Sequence, residues 1–453
     1  MISVFTPLTK TGNPYIEAAW ETLKAQTFPD WEWIVLENHG GSLPKQIRKD
    51  PRVKVFGDAK LEGIGAIKRR CCELSSPDAE FLLEFDHDDL LHEQALEKAM
   101  AAFAEGADFV FSDTAEFRVV MVPVLDGQGK PVLDAQKNPK LRVLLDDQGK
   151  EIWEPNVYSP EFGWSSYEVE FQGHQLLAQP NPPVTPHNLR LIDWAPNHFR
   201  AFRKDAYWGV GGHNPELPVA DDHELMLKLF LGGKKFHHVE ECLYFYRVHD
   251  KQTTNGNVGN SQIRALTEQL YGKYIFELAE KFCESNLCPS PERMIPLRKI
   301  DLCGAIDTYV DYEPLDKSLG HDLDERWPLE DNSVGVIRAY DAIEHLKNPI
   351  HTMNEAYRVL APGGLFLILV PSTDGRGAFQ DPTHVSFWNQ NSFWYYTKRS
   401  HARYVPGLQA RFQVARLHSF FPNNFCRENS IPYVEAHLIA LKDGYQPMGA
   451  VEI

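Results

Sequence analysis

The sequence predicts an α/β protein made of two doubly wound domains, and three observations support this prediction. The chain has 453 residues, too many for a single hydrophobic core. Short β-rich segments alternate with helical patterns over residues 1–114, which is typical of βαβ units and a mostly parallel sheet. A second alternation of the same kind starts at Leu297, after the linker-like segment NLCPSPERMIP.

The first domain is predicted over residues 1–260. Its first strands are expected in ISVFTPL, WEWIVLEN, VKVFGD, EFLLEFD and ADFVFSDT, and its first helices in PYIEAAWETLKAQ, GIGAIKRRCCEL and HEQALEKAMAAFAEG. Ligands of such sheets bind at the carboxyl ends of the strands. Asp86, Asp88 and Asp89 follow the strand EFLLEFD, so we expect them at the ligand-binding edge.

Residues 118–190 are predicted to form a β-rich insertion, a flap beside an acceptor site. VPVLDGQGKPVLD and RVLLDDQGKEIW are typical of two related hairpins with Asp-Gly or Asp-Gln-Gly turns. After the insertion, VADDHELMLKLFLGG predicts a helix that begins near Asp221 and Asp222, and CLYFYRVHD predicts a strand. Residues 261–296 are predicted as a long amphipathic helix, with Ser261 as its N-cap, followed by a linker.

The second domain is predicted over residues 297–453 and is also Rossmann-like. Strands are expected in LRKIDLCG, TYVDYEP, SVGVIRAYD and GLFLILVPS, and a helix in NPIHTMNEAYRVL. The segment APGG predicts a turn between that helix and the last of these strands.

The composition narrows the class of protein. Apolar content of 43% with 24% charged residues is typical of a soluble globular chain. The net charge of −17 argues against a general surface for nucleic acid or anionic membranes. We expect no transmembrane segment, because no window of about 18 apolar residues occurs, and we expect a cytoplasmic protein. Seven cysteines without paired spacing favour reduced thiols over a disulfide framework.

Two interpretations of the acidic run are open from its spacing alone. Asp86 and Asp88 on a turn after a strand can direct two carboxylates towards one divalent cation, a Lewis acid for a diphosphate. His249, in YRVHD, is a third candidate ligand. Alternatively, Asp88 and Asp89 cap a helix that begins near His92, since acidic side chains stabilise helix N-termini.

Five motifs in order resemble the family 2 glycosyltransferases of GT-A fold over residues 1–260. These motifs are VFTPLTK, VLENHGG, GIGAIKRR, LLEFDHDDLL and VADDHELML. Their features are a proline in the first strand, an acidic residue after the second, a Gly/basic stretch, an Asp-x-Asp-Asp turn and a later acidic pair at a helix start. The resemblance implies metal-dependent transfer of a sugar from a nucleotide-diphosphate donor, UDP-linked, to a hydroxyl of a carbohydrate or glycolipid acceptor.

The resemblance also implies roles for individual residues. Asp88 would coordinate Mn²⁺ or Mg²⁺ directly, with Asp86 and His249 as further ligands. The residues implied in binding the nucleotide-sugar are Thr6, Pro7, Glu37, Lys68 and Asp86. The segment ENHGGS departs from the family's Asp-Asp-Gly-Ser at the uridine contacts. For Lys68, a solvated helix position is the alternative.

Asp222 matches the acid that acts as general base in inverting members, where it takes the proton of the acceptor hydroxyl. A helix N-cap is its alternative, and for Asp221 the cap is the favoured interpretation. Trp194, Asn197 and His198 are candidates for contacts with the acceptor, with a buried structural tryptophan as the alternative. Inversion is the family's default, and no residue of the sequence decides it.

The later segment 297–400 resembles class I S-adenosylmethionine-dependent methyltransferases. The motifs are HDLDERWPLEDNSVGVIRAYDAIEHLKNP, YRVLAPGGLFLILVP and DPTHVSFWNQNSF, together with IDLCGAIDTYVDYEP. The resemblance implies that Gly304, Asp311 and Asp322 bind S-adenosylmethionine, and that His345 or His384 acts as a base. The usual glycine-rich loop keeps only Gly304, and the first crossover helix is predicted to be missing. An active methyltransferase and a retained, inactive sheet are therefore both open.

Together these features predict a glycan-modifying enzyme, a hexosyltransferase whose C-terminal half O-methylates the glycan with S-adenosylmethionine. In one alternative, the methyltransferase-like half is a degenerate scaffolding or acceptor-binding module. In another, the whole chain is a non-catalytic carbohydrate-binding or assembly protein.

Overall fold

The computed structural model describes residues 1–57, 61–133, 139–157, 160, 164–189, 196, 198–250, 252, 257–289 and 294–442. The chain divides into two compact units. The first unit comprises Met1–Val184 and Asp193–Gly272, and the second comprises Thr185–Ile192 and Lys273–Ile453.

Strands of the first unit alternate with helices along the chain. Its strands are β1 (Ile2–Leu8), β2 (Trp31–Glu37), β3 (Val53–Gly57), β4 (Phe81–Glu84), β5 (Leu90–Leu91), β6 (Phe109–Val119), β7 (Met121–Pro123), β8 (Leu141–Val143), β9 (Trp153–Asn156), β10 (Tyr167–Phe171), β11 (His174–Gln179), β12 (Arg200–Arg203) and β13 (Phe236–Arg247). The helices of the first unit are α1 (Ile16–Lys24), α2 (Ile64–Glu73), α3 (Ala95–Ala104), α5 (Lys204–Gly209) and α6 (Asp221–Leu231), and a 3₁₀ turn lies at Ile47–Lys49. The short helix α4 (Pro186–Leu189) is grouped with the second unit, and α7 (Asn257–Ser285) begins in the first unit and ends in the second.

The main sheet of the first unit has the strand order β10-β11-β6-β12-β4-β1-β2-β3, and β13 pairs with β5 and β6. β1 lies parallel to β2 and to β4, so the carboxyl ends of these strands meet at one edge. β12 inserts antiparallel between β4 and β6. The predicted α/β class is confirmed, and the acidic turn after β4 lies at the edge where open α/β sheets bind ligands.

The strands of the parallel block are buried because helices cover the sheet. β1 and β2 are apolar almost throughout, the pattern expected of strands packed on both faces. On one face, Trp20 of α1 stacks on Trp33 of β2, with ring centroids 5.5 Å apart and an interplanar angle of 8°. This stack belongs to a continuous core that includes residues of β1, β4, α3 and β13.

Two local details of the first unit differ from expectation. β5 lies between the acidic turn and α3, so the helix begins at Ala95 and not near His92. The long helix begins at Asn257, which excludes Ser261 as its N-cap. Both helices thus start away from the polar residue that was expected to cap them.

The two predicted hairpin turns of the insertion are present and share one geometry. Oδ1 of Asp126 accepts hydrogen bonds from the backbone N–H groups of Gln128 and Lys130, at 2.8 and 2.9 Å. Asp146 makes the same pair of bonds twenty positions later, to Gln148 and Lys150. Glycines at 129 and 149 supply the left-handed conformation after each turn, with φ of 77° and 79°.

The second unit is built on one six-stranded sheet with a two-stranded ribbon. Its strands are β14 (Leu287–Pro289), β15 (Met294–Pro296), β16 (Arg298–Leu302), β17 (Glu313–Leu315), β18 (Val334–Tyr340), β19 (Leu360–Pro371), β20 (Phe412–Phe420) and β21 (Tyr433–Ala440). Its further helices are α8 (Pro349–Val359), α9 (Gly377–Gln380), α10 (Trp394–Thr397), α11 (Arg399–Ala402) and α12 (Asn424–Glu428), with 3₁₀ turns at Lys317–Leu319, Ile343–His345 and Gln390–Phe393. The sheet order is β17-β16-β18-β19-β21-β20, parallel up to β19 and antiparallel afterwards.

The second sheet departs from expectation at two connections. No helix separates β16 from β17 in this fully described stretch, which agrees with the predicted loss of the first crossover helix. The strand expected in TYVDYEP is reduced to Glu313–Leu315. The turn predicted in APGG between the helix and the next strand is wrong, because β19 runs through this segment and absorbs the extra residues as a shift in register against β18.

Candidate active site

A cavity of about 790 Å³ lies at the carboxyl ends of β1 and β4 in the first unit. The predicted site residues that line it are Pro7, Lys68, Asp86, Asp88 and Asp222. They come from β1, α2, the turn after β4 and the start of α6. The sheet topology therefore brings residues from four segments of the chain to one concave surface.

Asp88 and His249 form the closest polar contact of the predicted metal site. Nε2 of His249 lies 2.8 Å from Oδ2 of Asp88, and both side chains are 13% exposed. The ring of Tyr15 stacks on His249 with centroids 4.9 Å apart, which orients the imidazole. Burial raises the pKa of Asp88, but the hydrogen bond of His249 and the nearby His87 outweigh it and lower that pKa. The pair therefore presents an ionised carboxylate beside an oriented imidazole.

Asp89 has a different role from its neighbour. It is fully buried, and its carboxylate accepts hydrogen bonds from the Tyr244 hydroxyl and the Arg247 backbone N–H, both at 2.8 Å. The expectation that Asp88 and Asp89 cap the next helix is wrong, because β5 separates them from α3 and their carboxylates face β13 and His249. Asp89 fixes the end of β13, and this contact places His249 beside Asp88.

Glu84 lies at the centre of a buried group of charges below the cavity. Its Oε1 lies 2.6 Å from Nζ of Lys68, 3.2 Å from Nε2 of His198 and 3.4 Å from Nη1 of Arg200. Burial raises the pKa of Glu84, but Lys68 and the other cations outweigh it and hold that pKa well below its usual range. Lys68 is therefore fixed by Glu84, with only 8% of its side chain exposed.

Asp222 faces the cavity and is held by Arg200. Nη2 of Arg200 lies 2.9 Å from Oδ2 of Asp222, and 30% of the Asp222 side chain is exposed. Its Oδ1 accepts a hydrogen bond from the backbone N–H of His223 at 2.8 Å. Burial raises the pKa of Asp222, but the charges of Arg200 and Lys68 outweigh it and hold that pKa well below the usual range. The carboxylate is therefore ionised at neutral pH.

Asp221 does not act as the predicted helix N-cap. The cap position is Ala220, and the Asp221 side chain is 3% exposed, with Oδ2 at 3.6 Å from Nε2 of His213 and 3.9 Å from Nζ of Lys68. Burial is the main reason that its pKa is raised to about 7. Both residues border the cavity, but the Asp221 side chain is buried beside Lys68 in the charge group around Glu84, whereas the Asp222 carboxylate is partly exposed.

Thr6 and Glu37 are already engaged by the protein. The Thr6 hydroxyl is fully buried, donates to the carbonyl of Phe85 and accepts from the indole N–H of Trp33. Glu37 accepts hydrogen bonds from the Leu43 backbone N–H and from Arg48. Neither residue is part of the cavity wall, so their predicted contacts with the nucleotide-sugar stay a prediction.

Two sets of residues in the first unit could hold a cation. Glu84, Asp86 and His198 place ligand atoms within 4.8 Å of one another. A divalent cation there would lie beside Lys68 and Arg200, whose charges oppose it. Asp88 and His249 contact each other directly, and the guanidinium of Arg247 donates from Nε to the backbone carbonyl of Asp88 at 2.8 Å, not to its carboxylate. Asp86 lies on the same turn, with Oδ2 3.4 Å from Nε2 of His198. A carboxylate and imidazole set suits Mn²⁺ better than Mg²⁺, which prefers oxygen ligands alone.

Several residues of the site had no signal in the sequence. Glu84 stands within an apolar strand segment, and Arg200 and His213 belong to no recognised motif. The insertion also contributes Asn156, Gln179, Pro180, Asn181 and Pro182 to the cavity wall. Its hairpin pattern predicted the strands but not these contacts. Of the three candidate acceptor residues, His198 lines the cavity, whereas Trp194 and Asn197 lie outside the described residues.

Gly304, Asp311 and Asp322, the residues of the second unit predicted to bind S-adenosylmethionine, each have a defined local setting. A Cβ at Gly304 would approach the Asp301 carboxylate to 2.8 Å, so the protein's own packing requires this glycine. Asp322 forms an ion pair with Lys317 at 2.8 Å, and Asp311 is exposed on a turn with φ of 64°. Their role in binding S-adenosylmethionine stays a prediction.

Comparison with known families supports both halves of the sequence prediction. Residues 3–121 match the model for glycosyl transferase family 2, and residues 312–368 match the model for a methyltransferase domain. The expected resemblance to these two families is confirmed. Across the described residues, no helix combines the length and apolar character needed to cross a bilayer.

Two curated proteins match parts of the chain. The O-antigen biosynthesis protein RfbC of Myxococcus xanthus is 22% identical over 289 residues, which are 60% of this chain and 18% of that protein. A probable S-adenosylmethionine-dependent methyltransferase of Mycolicibacterium smegmatis is 39% identical over 61 residues, 13% of this chain and 24% of that protein. The chain thus spans about a fifth to a quarter of these relatives' lengths.

Solved structures resemble the chain over similar portions. S. aureus TarS 1–349 in complex with UDP-GlcNAc has a TM-score of 0.38 at 16% identity, covering 63% of this chain and 74% of that one. The mannosyltransferase PcManGT of Pyrobaculum calidifontis, in complex with GDP-Man and Mn²⁺, has a TM-score of 0.37 at 12% identity, covering 61% and 64%.

Proposed function

We propose that the glycosyl transferase family 2 domain of this chain transfers a sugar from a nucleoside-diphosphate donor, UDP-linked, to a hydroxyl of a carbohydrate or glycolipid acceptor. One observation carries the proposal. Asp88 and the ionised Asp222 line one cavity at the carboxyl edge of the sheet, and His249 contacts the Asp88 carboxylate. A metal-binding pair and a base on one concave surface are the two groups that this reaction requires.

Asp88 and His249 would hold the divalent cation, with Asp86 as a further ligand from the same turn. When bound, Mn²⁺ would supply positive charge to the diphosphate leaving group and orient it. The lowered pKa of Asp88 favours this role, because the carboxylate is ionised at neutral pH before any cation binds. Tyr15 keeps the imidazole of His249 in place by stacking.

Asp222 would act as the general base. As the acceptor oxygen forms a bond to the anomeric carbon and the bond from that carbon to the diphosphate oxygen breaks, the proton of the acceptor hydroxyl passes to Asp222. Arg200 keeps this carboxylate ionised and aimed at the cavity. The low pKa makes Asp222 a weak base in the ground state, so proton transfer belongs late in bond formation, when the acceptor hydroxyl has become acidic.

The insertion supplies the remaining wall of the cavity. Asn156, Gln179 and Asn181 line it together with Trp164. Amide groups and an aromatic surface can hydrogen-bond to and pack against a sugar ring. The insertion is therefore the part of the unit that we assign to the acceptor.

The proposal is tested by screening nucleotide sugars against the purified chain with and without Mn²⁺. Release of the nucleoside diphosphate should depend on the cation and fall to background with a chelator, and it should rise when an acceptor glycan is added. Equal release with and without chelator across a panel of UDP- and GDP-sugars would contradict the metal-dependent mechanism.

For the methyltransferase domain we propose no catalytic step, because Gly304 and Asp322 are engaged by Asp301 and Lys317 and Asp311 lies on an exposed turn. Calorimetric titration of the full chain with this cofactor is the deciding measurement. Binding in the micromolar range would restore the hypothesis of an O-methylating half. Absence of heat at millimolar cofactor would leave the scaffolding or acceptor-binding hypothesis.

A further inference from the structure

Three potential metal ligands of the second unit lie together at the carboxyl end of β18. Glu344 and His345 are on the 3₁₀ turn Ile343–His345, and His384 is on the loop before α10. One ligand atom of each lies within 4.8 Å of the other two. The ring centroids of the two histidines are 5.0 Å apart. Sequence reasoning considered these histidines separately, as candidate bases.

The backbone fixes the two segments against each other. The N–H groups of Val385 and Ser386 donate to the carbonyl oxygen of Glu344, at 2.8 and 3.0 Å. The Ser386 hydroxyl donates to the carbonyl of Ile343 at 2.9 Å. These three bonds hold Glu344 and the loop of His384 in a defined relation, so the cluster is preorganised.

Glu344 has an unsatisfied carboxylate. Its side chain is 3% exposed, and neither carboxylate oxygen has a hydrogen-bond partner among the described residues. Burying a carboxyl group without partners is costly. The nearest cationic candidate, Nε2 of His384, is 3.9 Å from Oε1, which is too far for a hydrogen bond.

Both imidazoles have one nitrogen engaged by a backbone carbonyl. Nδ1 of His384 lies 3.0 Å from the carbonyl of Ala378, and Nδ1 of His345 lies 3.2 Å from that of Thr383. The Thr383 hydroxyl also lies 3.1 Å from Nδ1 of His345, but it donates its proton to Asp381 and so accepts here. Because carbonyl oxygens only accept, Nδ1 carries the proton in each ring, and Nε2 keeps its lone pair when the imidazole is neutral. Metal-binding histidines are typically oriented in this way, with the second nitrogen donating to a carbonyl or carboxylate.

We propose that Glu344, His345 and His384 form a site for a divalent transition-metal ion, with Zn²⁺ as the reference ion. Two imidazoles and a carboxylate are a ligand set that suits Zn²⁺ and neighbouring first-row ions better than Mg²⁺ or Ca²⁺. Bonds of about 2.0–2.2 Å to three ligands require only a modest closure of the cluster. Three protein ligands also leave a coordination position for water or a substrate hydroxyl. The site does not depend on the function proposed for the first unit.

The test is a Zn²⁺ titration of the full-length chain in competition with a chromogenic chelator. The background carries Asp88→Asn and His249→Gln, so that the first unit contributes no binding through this pair. We expect one Zn²⁺ per chain. Glu344→Gln and His384→Gln should each weaken Zn²⁺ binding by more than about 100-fold, because loss of a residue that only hydrogen-bonds to a metal ligand costs about 10- to 100-fold. His351→Gln is the matched control, because His351 lies in the same unit but outside the cluster. This variant should bind Zn²⁺ with the affinity of the background protein.

Co²⁺ titration gives a second readout, since its visible absorption reports imidazole coordination. This absorption should appear in the background protein and disappear in Glu344→Gln and in His345→Gln. His345 is less buried than Glu344, so its replacement disturbs the fold less. Far-UV circular dichroism identifies variants that fold. The proposal is overturned if the background protein binds no Zn²⁺ at micromolar concentration, or if folded Glu344→Gln and His345→Gln bind Zn²⁺ as the background does. Donor hydrolysis is measured separately on the parent chain, so the two proposals fail independently.

Discussion

Oδ2 of Asp88 and Nε2 of His249 lie 2.8 Å apart, although the residues are 161 positions apart in the chain. The contact exists because Asp89 accepts the backbone N–H of Arg247 and so fixes the end of β13 beside the acidic turn. The two consecutive aspartates thus have different roles. Asp88 faces the cavity, and Asp89 holds the strand that delivers its partner.

Removal of the Asp88 carboxylate should abolish the metal response. In Asp88→Asn, an amide replaces an ionised ligand without a large change in shape. Cation-dependent release of UDP should fall by about 10²- to 10³-fold, the usual cost of losing one electrostatic contact to developing charge. The exposed carboxylate of Asp78 serves as control, and Asp78→Asn should keep full activity. Undiminished, chelator-sensitive release by Asp88→Asn would remove the metal assignment.

Replacement of Asp222 should separate transfer from donor binding. Asp222→Asn keeps the hydrogen bond from His223 but cannot take a proton. The kcat for transfer should fall by about 10²- to 10⁴-fold, while the affinity for UDP measured by calorimetry changes little. Asp205→Asn, at the exposed start of α5, is the matched control. Near-normal transfer by Asp222→Asn would indicate a retaining reaction or a different base.

Asp221 should make the stability of the first unit depend on pH. Its pKa is about 7 in the folded protein against 3.8 as the reference, so the folded state holds a proton that the unfolded state releases between these values. The free energy of unfolding therefore falls as pH rises from about 4 to 7, and above pH 7 the loss caused by Asp221 reaches its full size. Asp221→Asn should raise the free energy of unfolding at pH 8 by about 1–4 kcal/mol, at 1.36 kcal/mol per pKa unit, and by much less at pH 4.

Urea unfolding at pH 4 and pH 8 measures the effect of Asp221→Asn on the free energy of unfolding. Asp50 offers a control of opposite sign, because its hydrogen bond with Arg52 lowers its pKa despite partial burial. Its contribution is present above the unfolded pKa and lost as pH falls, so Asp50→Asn should destabilise at pH 8 more than at pH 3. A gain for Asp221→Asn that is equal at pH 4 and pH 8 would disprove the role of titration.

Neutralising Glu84 should destabilise the unit strongly. Glu84→Gln leaves Lys68 and Arg200 buried with less opposing charge, and breaking a buried ion pair from one side costs about 3–5 kcal/mol. Glu32→Gln is the comparison, since its partner Lys54 is 44% exposed and can return to water. Urea unfolding at neutral pH should show a clearly larger loss for Glu84→Gln. Equal losses would show that Glu84 does not hold the charge group together.

How far the sequence predicts the site depends on whether a residue is recognised by local pattern. Asp86 and Asp88 follow a buried strand, and this position alone places them at the ligand-binding edge. Asp89 is another aspartate of the same acidic turn, but its role depends on a hydrogen bond from Tyr244, which is 155 positions away in the chain. Local spacing contains no information about such a contact.

The acidic pair at α6 shows the same limit. Asp221 and Asp222 both begin the helix, and a cap is a reasonable expectation for either. The structure separates them, because one step along a helix turns a side chain by about 100°. The carboxylate of Asp221 is therefore buried beside Lys68, and that of Asp222 is partly exposed, although both residues border the cavity. Glu84 was missed for a related reason, since a single acid in an apolar strand has no motif.

The position of β13 also sets the order in which a newly made chain can complete its site. During synthesis, the strands up to β4 can pair before residue 249 has been made, but Asp88 and Asp89 then lack the groups that they contact in the finished fold. Closing a loop of this length delays the contact further, because the entropy cost comes before the interaction that offsets it. The candidate active site is therefore among the last parts of the unit to assemble, and a truncated product that ends before β13 would retain much of the parallel sheet without the contact between Asp88 and His249.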